Sequence, residues 1–146
     1  YAAKAISVCL VVALMSAGVL ILTWAAVRLA VALKSQLEPT GAFEIRTYLE
    51  TMGRMYLAAV LLIAVQLWLA LRFSSFVPGL VVGIGGTFFA VVASSARVGV
   101  FLPWQMPINM LATEGWRVHT ALGLGLGGGL LVLTLALWHL SRREVL

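Results

Sequence analysis

The chain has 146 residues, of which 62% are hydrophobic and only 10% are charged, and its mean hydropathy is +1.07. An average soluble domain carries roughly a quarter charged residues, so this chain cannot cover a globular surface with polar groups. The net charge of +5 does not indicate nucleic-acid binding, because the ten Lys and Arg residues stand mostly singly at the ends of apolar runs. The composition predicts an all-α membrane protein, a single transmembrane domain over residues 1–146 with four spans.

The first predicted span covers about residues 5–32, between Lys4 and the basic residues Arg28 and Lys34. Its Leu, Val, Ala and Ile residues follow no amphipathic period, as expected of a helix surrounded by lipid and other helices. The run is too long for the apolar core of a secretory signal. Because the chain begins at Tyr1 without Met, we expect residues to be missing before it.

Residues 36–53 differ from the spans on either side. Pro39 predicts a helix break, and Thr40 is a candidate cap for the helix that follows. Polar residues occupy one side of that helix, on which Arg46 and Glu50 are spaced for an ion pair. This predicts a short external amphipathic helix, which either lies in the membrane interface or packs on the spans as an ordinary connecting helix. Its apolar residues recur at helical spacing: Ile45, Tyr48, Leu49 and Met52.

A helical hairpin is predicted at the centre of the chain. Its two spans cover about residues 55–71 and 76–93, and they meet at a short turn that begins with Arg72. Gln66 is a strongly polar side chain deep in the first of these spans. It is expected to hydrogen-bond a neighbouring helix, and contact with a substrate is the alternative.

Glycine pairs at GxxxG spacing predict faces where helices pack closely, either within the chain or across a dimer. One pair lies in the third predicted span, and two interleaved pairs lie in the last predicted span, over about residues 118–140. The pairs are Gly79 with Gly83, Gly123 with Gly127, and Gly125 with Gly129.

The segment 94–116 is too poor in apolar residues to cross a bilayer and too rich in them for a solvated loop. Pro103 and Pro107 prevent one continuous regular helix. Trp104 and Trp116 are amphipathic side chains suited to a membrane interface. The sequence therefore predicts a re-entrant or interfacial segment. A loop packed over the ends of the spans is the alternative.

The sequence contains no recognisable catalytic pattern, and no catalytic, cofactor-binding or metal-binding residues are predicted. Residues 123–128 match G-x-G-x-x-G, but no strand precedes them and no acidic residue follows at dinucleotide spacing. No Walker A sequence is present. His119 and His139 would lie about 30 Å apart on one helix, too far to share a metal or haem. Carboxylates are absent from the predicted spans, so we do not expect a proton relay or a diacidic site. Because these catalytic groups are missing, we do not expect an intramembrane enzyme.

Four spans would place both termini and the turn at Arg72 on one side of the membrane. The short basic segments on that side indicate that it is cytoplasmic, although a count of bases alone favours the opposite side.

The order of these elements resembles that of the permease subunits of ABC-2-type transporters, in particular the bacterial permeases related to lantibiotic-immunity exporters. The similarity covers the whole chain and is carried by hydropathy and by a few aromatic, Gly and Pro positions. The segments that carry it are YAAKAISVCLVVALMSAGVLIL, QLWLALRFSSFVPGLVVGIGGTFF and FLPWQMPINML, followed by a final span with a basic tail.

The resemblance implies that the chain is N-terminally truncated and holds the third to sixth spans of a six-span permease of the bacterial inner membrane, with a cytoplasmic C-terminus. It also implies a second permease, identical or different, and a separate ABC ATPase subunit that binds ATP and Mg. This chain itself would hold no cofactor. The expected function is export of a peptide-like or amphipathic substrate. The alternative is a non-transporting membrane anchor or assembly subunit of a multi-protein complex.

Overall fold

The apolar runs form helices in the computed structural model, which describes residues 2–33, 44–94 and 96–141. No strand occurs within these three ranges, so the described chain is all-helical as predicted. The basic tail at Arg142 and Arg143 lies outside them, as do Pro39 and Thr40. The helices are α1 (Ala2–Leu33), α2 (Ile45–Ala58), α3 (Val60–Arg72), α4 (Val77–Ala93), α5 (Met106–Asn109), α6 (Gly115–Gly123) and α7 (Gly129–Ser141).

Two helices among the described residues are long and apolar enough to cross a membrane. One is Ala3–Leu33 within α1, and the other is the stretch Gly115–Ser141, in which α6 and α7 are joined by a π-helical segment, Leu124–Gly128. Both exceed the roughly 20 residues that a bilayer core requires. The bent pair α2–α3 adds a third crossing if the two helices form one span, whereas α4 is a shorter apolar helix of 17 residues.

The second span differs from the prediction, because residues 55–71 do not form one helix. α2 begins in the predicted amphipathic segment and continues to Ala58, and α3 starts at Val60 after a bend of 40°. The amphipathic helix and the first residues of the predicted span are therefore one continuous helix. The bend falls where the sequence changes from a two-faced helix to one that is apolar on all sides.

The start of α2 is organised by local hydrogen bonds between charged and polar side chains. Glu44 is the residue before the helix, and its carboxylate accepts a hydrogen bond of 2.8 Å from the Thr47 hydroxyl. The predicted pair between Arg46 and Glu50 is confirmed, with 3.2 Å between Nε and Oε1. Both side chains are exposed, so this pair contributes little to stability.

The central hairpin joins α3 to α4 through the short segment Phe73–Phe76. α4 begins at Val77, whose backbone N–H donates to the Ser75 hydroxyl at 3.3 Å. Pro78 lies in the first turn, where its missing N–H has no helical partner to lose. The predicted third span, residues 76–93, corresponds closely to α4.

α3 packs most extensively on α7, and α1 is the least covered helix, with only 6% of its most apolar window buried. The buried core lies where the bend between α2 and α3 meets the start of the last span and the segment after α4. Van der Waals contacts among its side chains stabilise this core. Its buried members are Ala58, Val100, Met106, Met110 and Ala121.

Candidate functional site

The bend between α2 and α3 keeps its backbone hydrogen bonds although the helix axis changes direction. The Ala59 N–H lies 3.0 Å from the Met55 carbonyl and 3.1 Å from the Tyr56 carbonyl. The Ile63 N–H donates to the Ala59 carbonyl at 2.9 Å. A bend with satisfied backbone groups can be accommodated in an apolar environment, where an unpaired amide would cost several kcal/mol. Ala58 is fully buried at this point.

Gly125 and Gly129 bring the last span into direct contact with the backbone of this bend. A Cβ added at Gly125 would lie 2.6 Å from Ala58 Cα, and one added at Gly129 would lie 2.6 Å from the Leu61 nitrogen. Such distances are well inside van der Waals contact, so only glycine permits the observed approach. Both residues are buried.

Gly123 and Gly127 occupy a different face of the same helix. No atom of the described residues lies within 4 Å of a Cβ added at either position. The two interleaved pairs therefore have different surroundings: Gly125 and Gly129 pack within the chain, and Gly123 and Gly127 are open. The π-helical segment Leu124–Gly128 lies between the first and the last of these four glycines. It adds one residue to the helical turn, a feature frequent at functional sites in other proteins.

Residues 96–114 contain the second irregular part of the site. This segment forms a 3₁₀ turn over Arg97–Phe101 and the short helix α5, so it is not one continuous helix, as its two prolines predict. Met106 and Val100, almost completely buried, pack against Ala58 at the bend and Ala121 of α6. The loop thus covers the junction between the bent α2–α3 pair and the stretch Gly115–Ser141.

The loop also runs back along α4. The Trp104 ring lies so close to Gly86 that a Cβ added there would be 2.6 Å from Trp104 Cδ2. Gly86 is seven residues before the C-terminal end of α4, about 10 Å at 1.5 Å per residue. The Gln105 side-chain amide donates to the Ala90 carbonyl, between Gly86 and that end. The loop therefore packs along the C-terminal half of α4.

Two buried amides fix the loop in that position. Gln105 and Asn109 are each 4% exposed, and the Asn109 side chain donates to the Gln105 backbone carbonyl at 2.9 Å. No buried side-chain nitrogen or oxygen in the described part of the chain lacks a partner. Among the residues singled out from the sequence, Pro103 directly precedes Trp104, and Pro107 occupies the first turn of α5. Sequence reasoning missed both amides, although polar side chains at i and i+4 in an apolar segment are a usable signal.

Gln66 lies on the neighbouring face of the hairpin, against Gly79 and Gly83 of α4. With its amide oriented to satisfy both of its ends, the nitrogen donates to the Gly79 carbonyl at 3.2 Å and the oxygen accepts from the Gly83 N–H at 3.3 Å. A Cβ at Gly83 would lie 3.1 Å from the Gln66 amide. Glycine at this position thus allows the amide to reach the backbone of α4.

A polar side chain of α2 contacts the backbone of α1. The Tyr56 hydroxyl donates to the backbone carbonyl of Cys9 at 2.9 Å. Tyr56 is in the last turn of α2, three residues before the bend at Ala59. The contact therefore connects the first span to the same junction that the loop and the last span cover.

Trp116 lies apart from the junction, at the start of α6. Together with Arg97, Val98 and Phe101 it lines an open groove of about 490 Å³. The four predicted loop residues are consequently divided between two places. Pro103, Trp104 and Pro107 belong to the part that packs inward, and Trp116 belongs to the surface groove.

No group of three or more His, Cys, Asp or Glu side chains in residues 2–33, 44–94 and 96–141 is arranged to hold a metal ion. Comparison with family models, with curated proteins and with solved structures finds no match. The site is thus defined by its own geometry: a bent helix, a π-helical segment and an inward-packed loop that meet at one junction. The class that fold and composition support is a helical membrane protein.

Proposed function

We propose that this chain is the integral-membrane permease subunit of an ABC exporter, moving a peptide-like or amphipathic substrate with energy from a separate ATPase subunit. The observation that carries the proposal is the junction of the bent α2–α3 pair with the π-helical segment and the inward-packed loop. Broken or bulged helices that meet within a membrane are characteristic of transporters, in which rigid parts move relative to one another. The resemblance in the order of the elements adds the ABC-2 class.

The proposed topology has four crossings, formed by α1, the bent pair, α4 and the last span, in the bacterial inner membrane. Both termini and the turn after Arg72 lie on the cytoplasmic side. The short length of α4 is compatible with this arrangement, because 17 residues are at the lower end of the range for a crossing helix.

Cysteine labelling tests the topology directly. In a Cys9→Ala background, single cysteines at Ser74 and Ser141 are expected to react with a membrane-impermeant maleimide from the same side, and one at Thr113 from the other side. Labelling of Ser74 and Ser141 from opposite sides would exclude the four-span topology. Intact and permeabilised cells provide the comparison.

The second candidate, a non-transporting anchor or assembly subunit, is favoured by one observation. The Gln66 amide hydrogen-bonds the Gly79 carbonyl through its nitrogen and the Gly83 N–H through its oxygen, so both of its ends contact the backbone of α4. In an anchor, the intramembrane polar groups hold the helices together, and the functional partner is bound elsewhere.

Purification and transport together separate the two candidates. The full-length protein is expressed with its neighbouring genes, isolated in mild detergent and tested for an accompanying ATPase subunit. Inverted vesicles then report ATP-dependent uptake of a labelled cationic amphipathic peptide. The permease proposal predicts both results. A complex without an ATPase subunit would overturn it, and a stably bound soluble partner without uptake would support the anchor.

A matched pair of variants refines this test. Gly125→Leu places a large side chain against the backbone of Ala58, whereas Gly123→Leu places the same side chain on an open face. A permease predicts that Gly125→Leu strongly lowers uptake while the ATPase subunit remains bound, and that Gly123→Leu retains uptake. Equal uptake in the two variants would show that the close contact between Gly125 and Ala58 is not needed for transport.

A further inference from the structure

The groove formed by Arg97, Val98, Phe101 and Trp116 combines an apolar lining with a single cation. Val98, Phe101 and Trp116 are exposed by 69%, 58% and 45%, so a large part of each apolar side chain faces outward. The groove volume of about 490 Å³ lies within the range of sites that hold one small ligand. Such an apolar lining can hold the hydrocarbon part of a ligand.

The charges around the groove leave one arginine without a partner among the described residues. Arg117, next to Trp116, is paired with Glu114 at 2.9 Å and lies over the Trp116 ring, 5.4 Å from its centroid. Arg97 forms no ion pair or hydrogen bond through its side chain with the described residues. The groove therefore carries a net positive charge that a bound anion can neutralise.

The groove also lies at the level of helix ends. Arg97 follows the end of α4 by four residues, and Trp116 is the second residue of the stretch Gly115–Ser141. Where apolar helices end, the hydrocarbon core gives way to the headgroup region, and Trp is enriched there. A ligand in this groove would place an apolar part beside the spans and a polar part beside Arg97.

We propose that this groove binds one anionic phospholipid, with the headgroup phosphate on the Arg97 guanidinium and an acyl chain along Val98, Phe101 and Trp116. Guanidinium groups bind phosphate oxygens through two parallel hydrogen bonds. The apolar side chains of the groove exclude water from the acyl chain of the lipid. This inference depends on membrane insertion of the helices and not on the permease proposal.

Native mass spectrometry of the full-length protein tests the proposal by counting lipids retained during titration with phosphatidylglycerol or phosphatidylcholine. The wild type is expected to retain phosphatidylglycerol more tightly. Arg97→Gln should weaken its retention about tenfold, as expected for the loss of charge-assisted hydrogen bonds, and should abolish the preference over phosphatidylcholine. Glycerol phosphate without acyl chains should not displace the lipid.

Two further variants keep the test decisive. Arg72→Gln is the matched control, because Arg72 also stands at a helix end with an aromatic neighbour, Phe73, at 5.8 Å, but lines no part of this groove. It should leave retention unchanged. Val98→Trp fills the groove without altering its charge and should weaken retention of both lipids.

Three outcomes would overturn the proposal. Equal weakening by Arg97→Gln and Arg72→Gln would indicate attraction by surface charge in general. Displacement of the lipid by glycerol phosphate would indicate a site for the free anion. A change of oligomeric state in Val98→Trp without a change in lipid retention would show that a second copy of the chain occupies the groove.

Discussion

Replacement of Gly129 by alanine should weaken the contact between the last span and the bend. The added Cβ would lie 2.6 Å from the Leu61 nitrogen and 2.7 Å from the Val60 carbonyl carbon, about 1 Å short of the 3.5–4.0 Å at which heavy atoms pack well. Both atoms belong to the backbone, so no side chain can rotate away. Relief requires α7 to move away from α3, and overpacking of this kind costs about 1–3 kcal/mol.

Gly127→Ala is the control, because its Cβ meets no atom within 4 Å. Both substitutions gain the same helix propensity, about 1 kcal/mol, so the difference between them isolates the contact. Unfolding of the full-length protein by SDS in mixed micelles, followed by circular dichroism, should show Gly129→Ala to be about 1–3 kcal/mol less stable than Gly127→Ala. Equal stabilities would refute the assigned contact. A larger loss for Gly127→Ala would mean that the open face is the essential one.

Three further substitutions test the other contacts of the junction with the same unfolding assay. Met106→Ala should lower the free energy of unfolding by about 2–5 kcal/mol, because the Met106 side chain is only 1% exposed. Ile108→Ala should cost much less, because Ile108 is 57% exposed, and equal losses would contradict the inward placement of the loop. Gln66→Met should cost under about 1 kcal/mol on average, and a gain in stability would exclude a stabilising role for its hydrogen bonds. Tyr56→Phe should lose about 0.5–1.5 kcal/mol and expose Cys9 to thiol reagents, and unchanged Cys9 reactivity would show that the hydroxyl does not hold α1.

The sequence was sufficient to predict the long spans and the amphipathic helix. A helix in lipid must be apolar over about 20 residues, and the stretches that became α1 and Gly115–Ser141 meet that requirement through composition alone. The polar face that includes Arg46 and Glu50 likewise follows from helical periodicity. Both features depend on local sequence, which explains why they can be read without knowledge of the tertiary structure.

The bend at Ala59 and the π-helical segment could not be predicted in this way. Residues 55–71 are uniformly apolar from Leu57 onwards apart from Gln66 and contain neither Gly nor Pro, so no local signal marks a break. The interleaved pairs in the last span have identical spacing, and the sequence does not distinguish Gly125 and Gly129, which pack inward, from the two that do not. Which pair packs inward depends on where the backbone of Ala58 and Leu61 lies, and the sequence does not give that position.

The structure of the loop over residues 94–116 could be predicted in part. Pro103 and Pro107 indicated that residues 94–116 would not form one helix, and the aromatic content indicated contact with an apolar environment. How closely the loop packs on α4 was not predictable, because that packing depends on the space beside Gly86 that accommodates Trp104. The bond from Gln105 to Ala90 joins residues 15 apart in the chain, a pairing that local patterns cannot specify.

The bend, the π-helical segment and the loop are best understood as one arrangement. Two other parts of the chain cover the bend at Ala58 and Ala59. Here the last span approaches to backbone contact because Gly125 and Gly129 lack side chains, and Met106 enters from the loop to fill the remaining space. Each component depends on the other two, so a change in one should be transmitted to all three.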